Sequence, residues 1–293
     1  MGLLHPAPSR RGVPLSPLTF VSCAVVAAGS PEIVRSRRLG ALLPHSVALS
    51  AYRSAQFRRA LSEHDHEVTE ASLIRVREFD SCLRSLLLTQ VERIELALRG
   101  RVDASASAEF GQRWHLDPAA FRRGTVLDAL RQQYAAALDR SYDPAVRAIW
   151  RRRRLDQISF GMLSEELSFG TLSRVTGALD AGSRNAVAAS FRLPPSTLRG
   201  TMQHVAHVRN CCAHHTRVWG RQFGVPTPQY RSPDDLVARL DGSPLRSPYR
   251  SIVVICHLAD TVDANRSASR SFARLLRCHP DLLSGIGGPA TSR

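Results

Sequence analysis

The sequence contains no lysine, so all 40 of its basic residues are arginines, against 25 acidic residues. Its formal net charge is +15 with neutral histidines. An excess of arginine on this scale predicts a polyanionic partner, with nucleic acid first. Charge alone leaves RNA, DNA and an anionic membrane surface open as that partner.

Long apolar runs and paired cysteines are also missing. No run of about 18 apolar residues occurs, so the sequence predicts no membrane-spanning helix. The six cysteines form no C-x-x-C pair, and the cysteine and histidine spacings match none of the usual zinc patterns. We therefore expect reduced thiols, a cytoplasmic location, and neither a metal nor another cofactor.

The first part of the chain differs in composition from the rest. Residues 1–45 are rich in proline, serine and arginine and show no sustained hydrophobic period, which predicts a disordered leader or a degenerate N-terminal region. The apolar run Leu18–Ala28 follows two arginines, so an export signal is the alternative. From residue 46 to 293 we expect one helical domain.

Apolar residues recur at steps of three and four through most of that domain, which predicts an all-α fold. The clearest helix is expected over Thr69–Arg99, with Gly100 as a natural C-terminal stop. Strand signals are weak. Further helices are predicted over 124–141, 144–155, 158–178 and 182–192, from Pro194 onward, after Ser232, and over Ile252–Val262 and Ser269–Leu276.

The most informative motif follows the helix predicted from Pro194. It reads Arg209-Asn210-Cys211-Cys212-Ala213-His214-His215. An arginine grips phosphate as a planar fork, and a histidine moves protons near neutral pH. RNA supplies its own nucleophile, the 2′-hydroxyl beside each phosphate. Arg209 and His214 therefore suit cleavage of RNA without a metal, with Asn210 orienting a phosphate or holding a bend.

The spacing of the motif carries a geometric prediction. Five residues along an ideal helix rotate the side-chain direction by about 140°, so Arg209 and His214 would not share a face of a straight helix. The helix must end or bend near Ala213, or two chains must bring their motifs together. The structural alternative is that His214 only caps the C-terminal end of the helix, where a positive charge is favourable.

A second basic feature is the run Arg151, Arg152, Arg153 and Arg154. We expect this run to be an RNA-backbone patch, although a solvated helix face is the alternative. Trp219, just after the motif, is expected to be a core residue rather than a base-stacking platform.

Several segments together resemble one protein family. They are Leu49–Tyr52, Phe79–Arg84, Val91–Glu95 with Leu98-Arg99, Ser164–Ser173, and Val208–Asn210 with Ala213–Trp219. In order and rough spacing they are similar to the Abi-like family of bacterial abortive-infection proteins, of the AbiD/AbiF type. That family resembles a branch of the HEPN superfamily, whose α-helical domains are often dimeric.

The resemblance implies a metal-independent endoribonuclease of phage defence, with an Arg-x4–6-His site. It implies Arg209 and His214 as catalytic residues and a homodimer that combines a motif from each subunit. His215 also fits the allowed spacing. Asn210, His215, Arg217, Glu165, Glu92 and Glu95 are expected in support, with the Glu95–Arg99 pair as possible scaffolding. A silencing antitoxin, of protein or RNA, stays open.

The chain departs from the family pattern in two places. Residues Leu39–Ser46 do not match the helical start that the family usually has, and the ending Val218-Trp219-Gly220-Arg221 lacks the family's asparagine. The alternative function is a non-catalytic RNA-binding or regulatory helical protein, which would bind RNA with a strong salt dependence and leave it uncut. A helical scaffold for another defence protein is a third.

Overall fold

A computed structural model describes residues 50–122, 127–263 and 265–288. The residues from Ser50 onward form one compact unit. The expectation for residues 1–45 lies outside the described residues. Within the described part the secondary structure is helical, apart from one isolated β-bridge between Phe121 and Leu179. The all-α prediction is confirmed.

The fold consists of one long helix, Glu70–Phe110, and shorter helices that surround it. Their bounds are α1 Ala51–Glu63, α2 Glu70–Phe110, α3 Leu127–Leu138, α4 Pro144–Trp150, α5 Phe160–Glu166, α6 Phe169–Ala178, α7 Ala181–Ser190, α8 Pro195–Ala213, α9 Asp234–Leu240, α10 Pro248–Val262 and α11 Ser267–Cys278. Helix α2 packs against α7, α8, α10 and α11, and α6 packs against α8. The long helix is therefore the axis on which the others are placed.

Helix α2 is longer than the sequence predicted. The expected stop at Gly100 is wrong, because the helix continues to Phe110 and ends at Gly111, whose φ is +75°. A glycine inside a helix costs about 1 kcal/mol relative to alanine. Val102 and Ala106 continue the buried stripe beyond Gly100, so tertiary packing outweighs that cost.

The helix predicted over 158–178 is in fact two helices. Ser168 interrupts it in an extended conformation, and its hydroxyl accepts the Thr171 N–H at 3.2 Å as the N-cap of α6. Serine favours this role because its short side chain replaces a missing helical acceptor. The predicted 144–155 helix stops at Trp150, since Arg153 takes a φ of +52°.

Two of the three buried histidines among the described residues have no exposed surface, and both lie away from the motif at the end of α8. His115 and His204 are both fully buried, and His204 bonds the Val225 carbonyl at 2.8 Å and the Ser251 hydroxyl at 2.9 Å. Burial is the main cause that lowers the pKa of each imidazole to about 4. Both side chains therefore fold in the neutral form.

This burial predicts acid sensitivity. Because the folded pKa lies below the ordinary 6.5, the unfolded chain takes up these protons first, and stability is lost as pH falls from about 6.5 to about 4. Two such groups give a slope of about 3 kcal/mol per pH unit. Urea unfolding at stepped pH measures it. His115→Gln should reduce the slope by about 1.4 kcal/mol per pH unit, the share of one such group, and an unchanged slope would contradict this assignment.

Candidate active site

The motif lies where helix α8 stops. The last helical residue is Ala213, and His214 is the cap. The His215 N–H donates to the Cys212 carbonyl at 3.0 Å and the Thr216 N–H to the Cys211 carbonyl at 2.8 Å. This is the Schellman arrangement, in which the chain turns sharply away from the helix axis. Of the alternatives that the spacing left open, a helix end near Ala213 is the one that the structure shows.

The turn requires an uncommon backbone conformation at His215. Its φ is +55°, in the left-handed region where glycine is the usual residue at this position. A side chain there costs roughly 1 kcal/mol or more. Such strain persists only where the surrounding structure fixes the turn, and it is frequent at functional sites.

A buried carboxylate fixes the chain just after the turn. Asp80, on α2, is only 1% exposed. Its Oδ1 accepts the backbone N–H groups of Val218 at 2.7 Å and Trp219 at 2.8 Å. Its Oδ2 accepts the Arg84 Nε–H at 2.9 Å. One carboxylate therefore joins the motif segment to the long helix.

The same network reaches a histidine of the motif. Arg84 Nη1 donates to His215 Nδ1 at 3.4 Å. An arginine can only donate, so this contact leaves the proton of a neutral His215 ring on Nε2. His215 is thus held through Arg84 and Asp80, and it acts as part of the support for the turn.

Arg217 supports the turn from the other side. Its Nη1 donates to the carbonyls of Trp219 at 2.7 Å and Gly220 at 3.0 Å, and burial lowers the pKa of its guanidinium. Trp219 is fully buried, as predicted, and its Nε1 donates to the Leu282 carbonyl at 2.8 Å. The rings of His64 and His66 lie 5.2 and 5.6 Å from the indole.

The two predicted catalytic side chains differ from Asp80, Arg84 and Arg217 in being exposed. Arg209 lies four residues before the last helical residue of α8, His214 caps the helix, and both are exposed. Arg209 Nη1 donates to the Asn210 amide oxygen at 3.4 Å. Among the described residues, the guanidinium of Arg209 has no acidic partner. Both groups are therefore available to a ligand at this end of the helix.

Further positive charge lies beside this end. Burial lowers the pKa of the His207 imidazole, and the charge of Arg221 lowers it further. Burial raises the pKa of the Cys211 thiol, and Arg221 opposes that shift. His207 Nε2 also accepts the Gly224 N–H at 3.1 Å. Arg221 therefore adds positive charge near His207 and Cys211 on α8.

The predicted supporting glutamates are placed differently. Glu95 pairs with Arg99 at 2.5 Å, and Arg99 reaches Glu165 at 3.3 Å and the carbonyls of Ser164 and Leu167. This cluster ties α2 to the junction of α5 and α6. Along α2, Glu95 is about 16 Å from Arg84 at the helical rise.

No hydrogen bond or ion pair in the described part of the chain joins Glu95, Glu165 or Glu92 to the motif. Glu92 is exposed on α2. A role for these three glutamates in catalysis therefore stays a prediction, while the contacts that the structure shows for Glu95 and Glu165 are those of scaffolding.

The arginine run after α4 is partly neutralised. Arg153 pairs with Asp139 at 2.6 Å and stacks over Trp150 at 4.8 Å, and Arg154 pairs with Asp156 at 2.7 Å. The remaining two members, Arg151 and Arg152, are exposed, and among the described residues neither has an acidic partner. A role for the run in binding RNA stays a prediction.

Comparison with known proteins gives one match. The family model described as Abi-like protein matches residues 47–220. The chain belongs to this family. Membership in the Abi-like family implies a part in abortive infection, a defence of bacteria against phage. No curated protein and no solved structure matches the chain.

The Abi-like region contains both the motif and its support. Asp80, Arg84 and the segment from Arg209 to Trp219 all fall within the matched residues. Helices α9, α10 and α11 lie beyond the match. Within the described ranges, no helix combines the length and apolar character that crossing a membrane requires.

Sequence reasoning missed the central part of this site. The clamp by Asp80 was not predicted, although the segment Phe79–Arg84 contributed to the family resemblance. A signal was present, because Asp80 follows the buried Phe79 directly and stands four residues before Arg84, the spacing of a helical ion pair. What the sequence could not show is the contact of Asp80 with Val218 and Trp219, which lie 138 and 139 residues after it in the chain.

Proposed function

We propose that this Abi-like protein is a metal-independent endoribonuclease that acts in phage defence. The observation that carries the proposal is the end of α8, where Arg209 and His214 are exposed on either side of the point at which the helix stops. A guanidinium binds phosphate oxygens, and an imidazole transfers protons near neutral pH. RNA provides the remaining reactant, its own 2′-hydroxyl.

The reaction follows from these groups. The 2′-oxygen attacks the adjacent phosphorus and loses its proton, the bond from phosphorus to the 5′-oxygen breaks, and the leaving 5′-oxygen gains a proton. The products are a 2′,3′-cyclic phosphate and a free 5′-hydroxyl. His214 carries out one of the two proton transfers, and Arg209 stabilises the charge that builds on the non-bridging oxygens.

A homodimer would complete the site. One His214 can serve one proton transfer at a time, and a second copy of the chain would supply an equivalent group for the other. The free exposure of the motif leaves it open to such a partner. We therefore propose that two α8 ends face each other across one RNA strand, in the cytoplasm where the target RNA would be met.

Purified protein incubated with mixed RNA, with and without EDTA, tests the proposal on a gel. Cleavage that persists in EDTA and leaves cyclic phosphate ends is the expected result. RNA that is bound in a salt-dependent manner but stays intact at every pH would favour the non-catalytic RNA-binding function instead. RNA that is neither bound nor cut would favour a protein scaffold.

A further inference from the structure

Helix α11 carries an arginine stripe. Arg270, Arg274 and Arg277 stand at steps of four and three, within an arc of about 60° on the helix surface. Arg266 precedes the helix as its cap residue. All four side chains are exposed. From Arg266 to Arg277 the stripe spans about 16 Å at the helical rise, a length over which a nucleic-acid strand carries several phosphates.

The charge of this stripe is not neutralised by the acids around it. Helix α11 contains no acidic residue. Of the nearby aspartates, Asp263 bonds Ser267 and pairs with Arg93 at 3.6 Å, Asp260 bonds the Ser269 hydroxyl at 2.5 Å, and Asp281 pairs with Arg75 at 2.7 Å. Among the described residues, none of the four stripe arginines has an acidic partner. This contrasts with the run after α4, where two of four arginines are paired.

The opposite face of α11 is already used. Ala268 and Phe272 are buried against the rest of the protein, where α11 packs on α10 and α2. A basic amphipathic helix that enters a membrane surface needs a free apolar face. Because that face is occupied, the exposed side of α11 offers guanidinium groups and no free apolar face. Such a surface fits a phosphate backbone better than a lipid surface.

Helix α11, which carries the stripe on its exposed face, lies beside the half of α2 that supports the motif. Arg93 on α2 contacts Ser267 at the start of α11, and Arg75 contacts Asp281 just beyond its end. Helix α11 therefore runs antiparallel to this part of α2. Arg84, which contacts His215, stands between Arg75 and Arg93 along the helix.

We propose that Arg266, Arg270, Arg274 and Arg277 dock the backbone of an RNA strand, outside the region that the Abi-like family model matches. This docking surface rests on the proposed function only in taking the bound RNA as the substrate. The docking surface would bind RNA of any sequence. It would hold the strand while the end of α8 acts on one phosphodiester linkage.

The test measures binding without cleavage. In a His214→Ala background of the full chain, the triple variant Arg270→Gln, Arg274→Gln and Arg277→Gln is compared with the unmodified background by anisotropy of a labelled single-stranded RNA. Loss of three phosphate contacts should weaken binding and reduce the slope of log K against log salt by about 2. The variant with lysine at the same three positions should restore the slope.

A matched control removes the same charge elsewhere. Arg53→Gln, Arg58→Gln and Arg140→Gln change three exposed arginines outside α8 and α11, and they should leave the slope unchanged. Equal effects of the two triple variants, or no effect of either, would overturn the docking surface. So would binding to phosphatidylserine vesicles that the stripe variant loses while its RNA binding stays intact.

The two proposals fail separately. If the parent protein binds RNA through the stripe but never cleaves it, the nuclease is wrong and the docking surface stands. If the parent cleaves RNA and the stripe variant binds with an unchanged slope, the docking surface is wrong and the nuclease stands.

Discussion

Replacing His214 or Arg209 by alanine is expected to abolish RNA cleavage while the fold stays intact. Loss of a proton-transfer group costs about 10²–10⁴ in rate, and loss of a donor to the developing charge about 10²–10³. Both side chains are exposed, and within the described ranges the Arg209 guanidinium hydrogen-bonds only to Asn210. Their removal should therefore leave the unfolding midpoint where it is.

The neighbouring histidine provides the matched comparison. His215 is also exposed, but its Nδ1 is already bonded to Arg84, so a smaller loss of cleavage is expected for His215→Ala. Initial rates on one defined RNA, together with thermal unfolding followed by circular dichroism, measure both effects. If His214→Ala cleaves at the parental rate and His215→Ala does not, the catalytic role belongs to His215. Undiminished cleavage by all three variants would contradict the assignment of the active site to the end of α8.

Asp80→Ala should be among the most destabilising substitutions at this site. It leaves the backbone N–H groups of Val218 and Trp219 without their acceptor, and it leaves Arg84 largely buried without its ion partner. Removing one member of a buried, hydrogen-bonded pair costs about 3 kcal/mol or more. Urea unfolding at neutral pH should show a loss of that size in the free energy of unfolding.

The same substitution should also lower cleavage under conditions where the variant stays folded, because the turn at His215 loses its tether to α2. Asp156→Ala is the control, since it breaks an exposed pair with Arg154, and exposed pairs contribute little. A loss for Asp80→Ala no larger than that of Asp156→Ala would contradict the role of the buried carboxylate.

The parts of the fold that the sequence could predict are those set by local signals. Hydrophobic spacing predicts the long helix and the helix that carries the motif. The rotation between Arg209 and His214 predicts either an end or bend of the helix near Ala213 or a site shared by two chains. The failures came from tertiary packing in one case and from a local cap in the other. Gly100 is a local stop signal, yet the buried residues Val102 and Ala106 carry the helix through it. The cap at Ser168 splits a periodic stretch that spacing alone reads as continuous.

The site shows the same division. Arg209, Asn210, His214 and His215 are adjacent in sequence, so their proximity needs no long-range information. The tether through Asp80 depends on which residues of α2 lie against the segment after the motif, and no local pattern contains that information. The unpaired state of the α11 arginines is similar, because it depends on where the nearby aspartates find other partners.

The most direct measurement runs the EDTA assay on one RNA of defined sequence and on a copy with a single 2′-deoxynucleotide at the mapped cleavage position. If the exposed guanidinium and imidazole at the end of α8 cleave the strand by attack of its own hydroxyl, the RNA should be cut to a 2′,3′-cyclic phosphate and the substituted copy should stay whole at that linkage. Equal cleavage of both strands, or cleavage that vanishes with the chelator, would contradict the account.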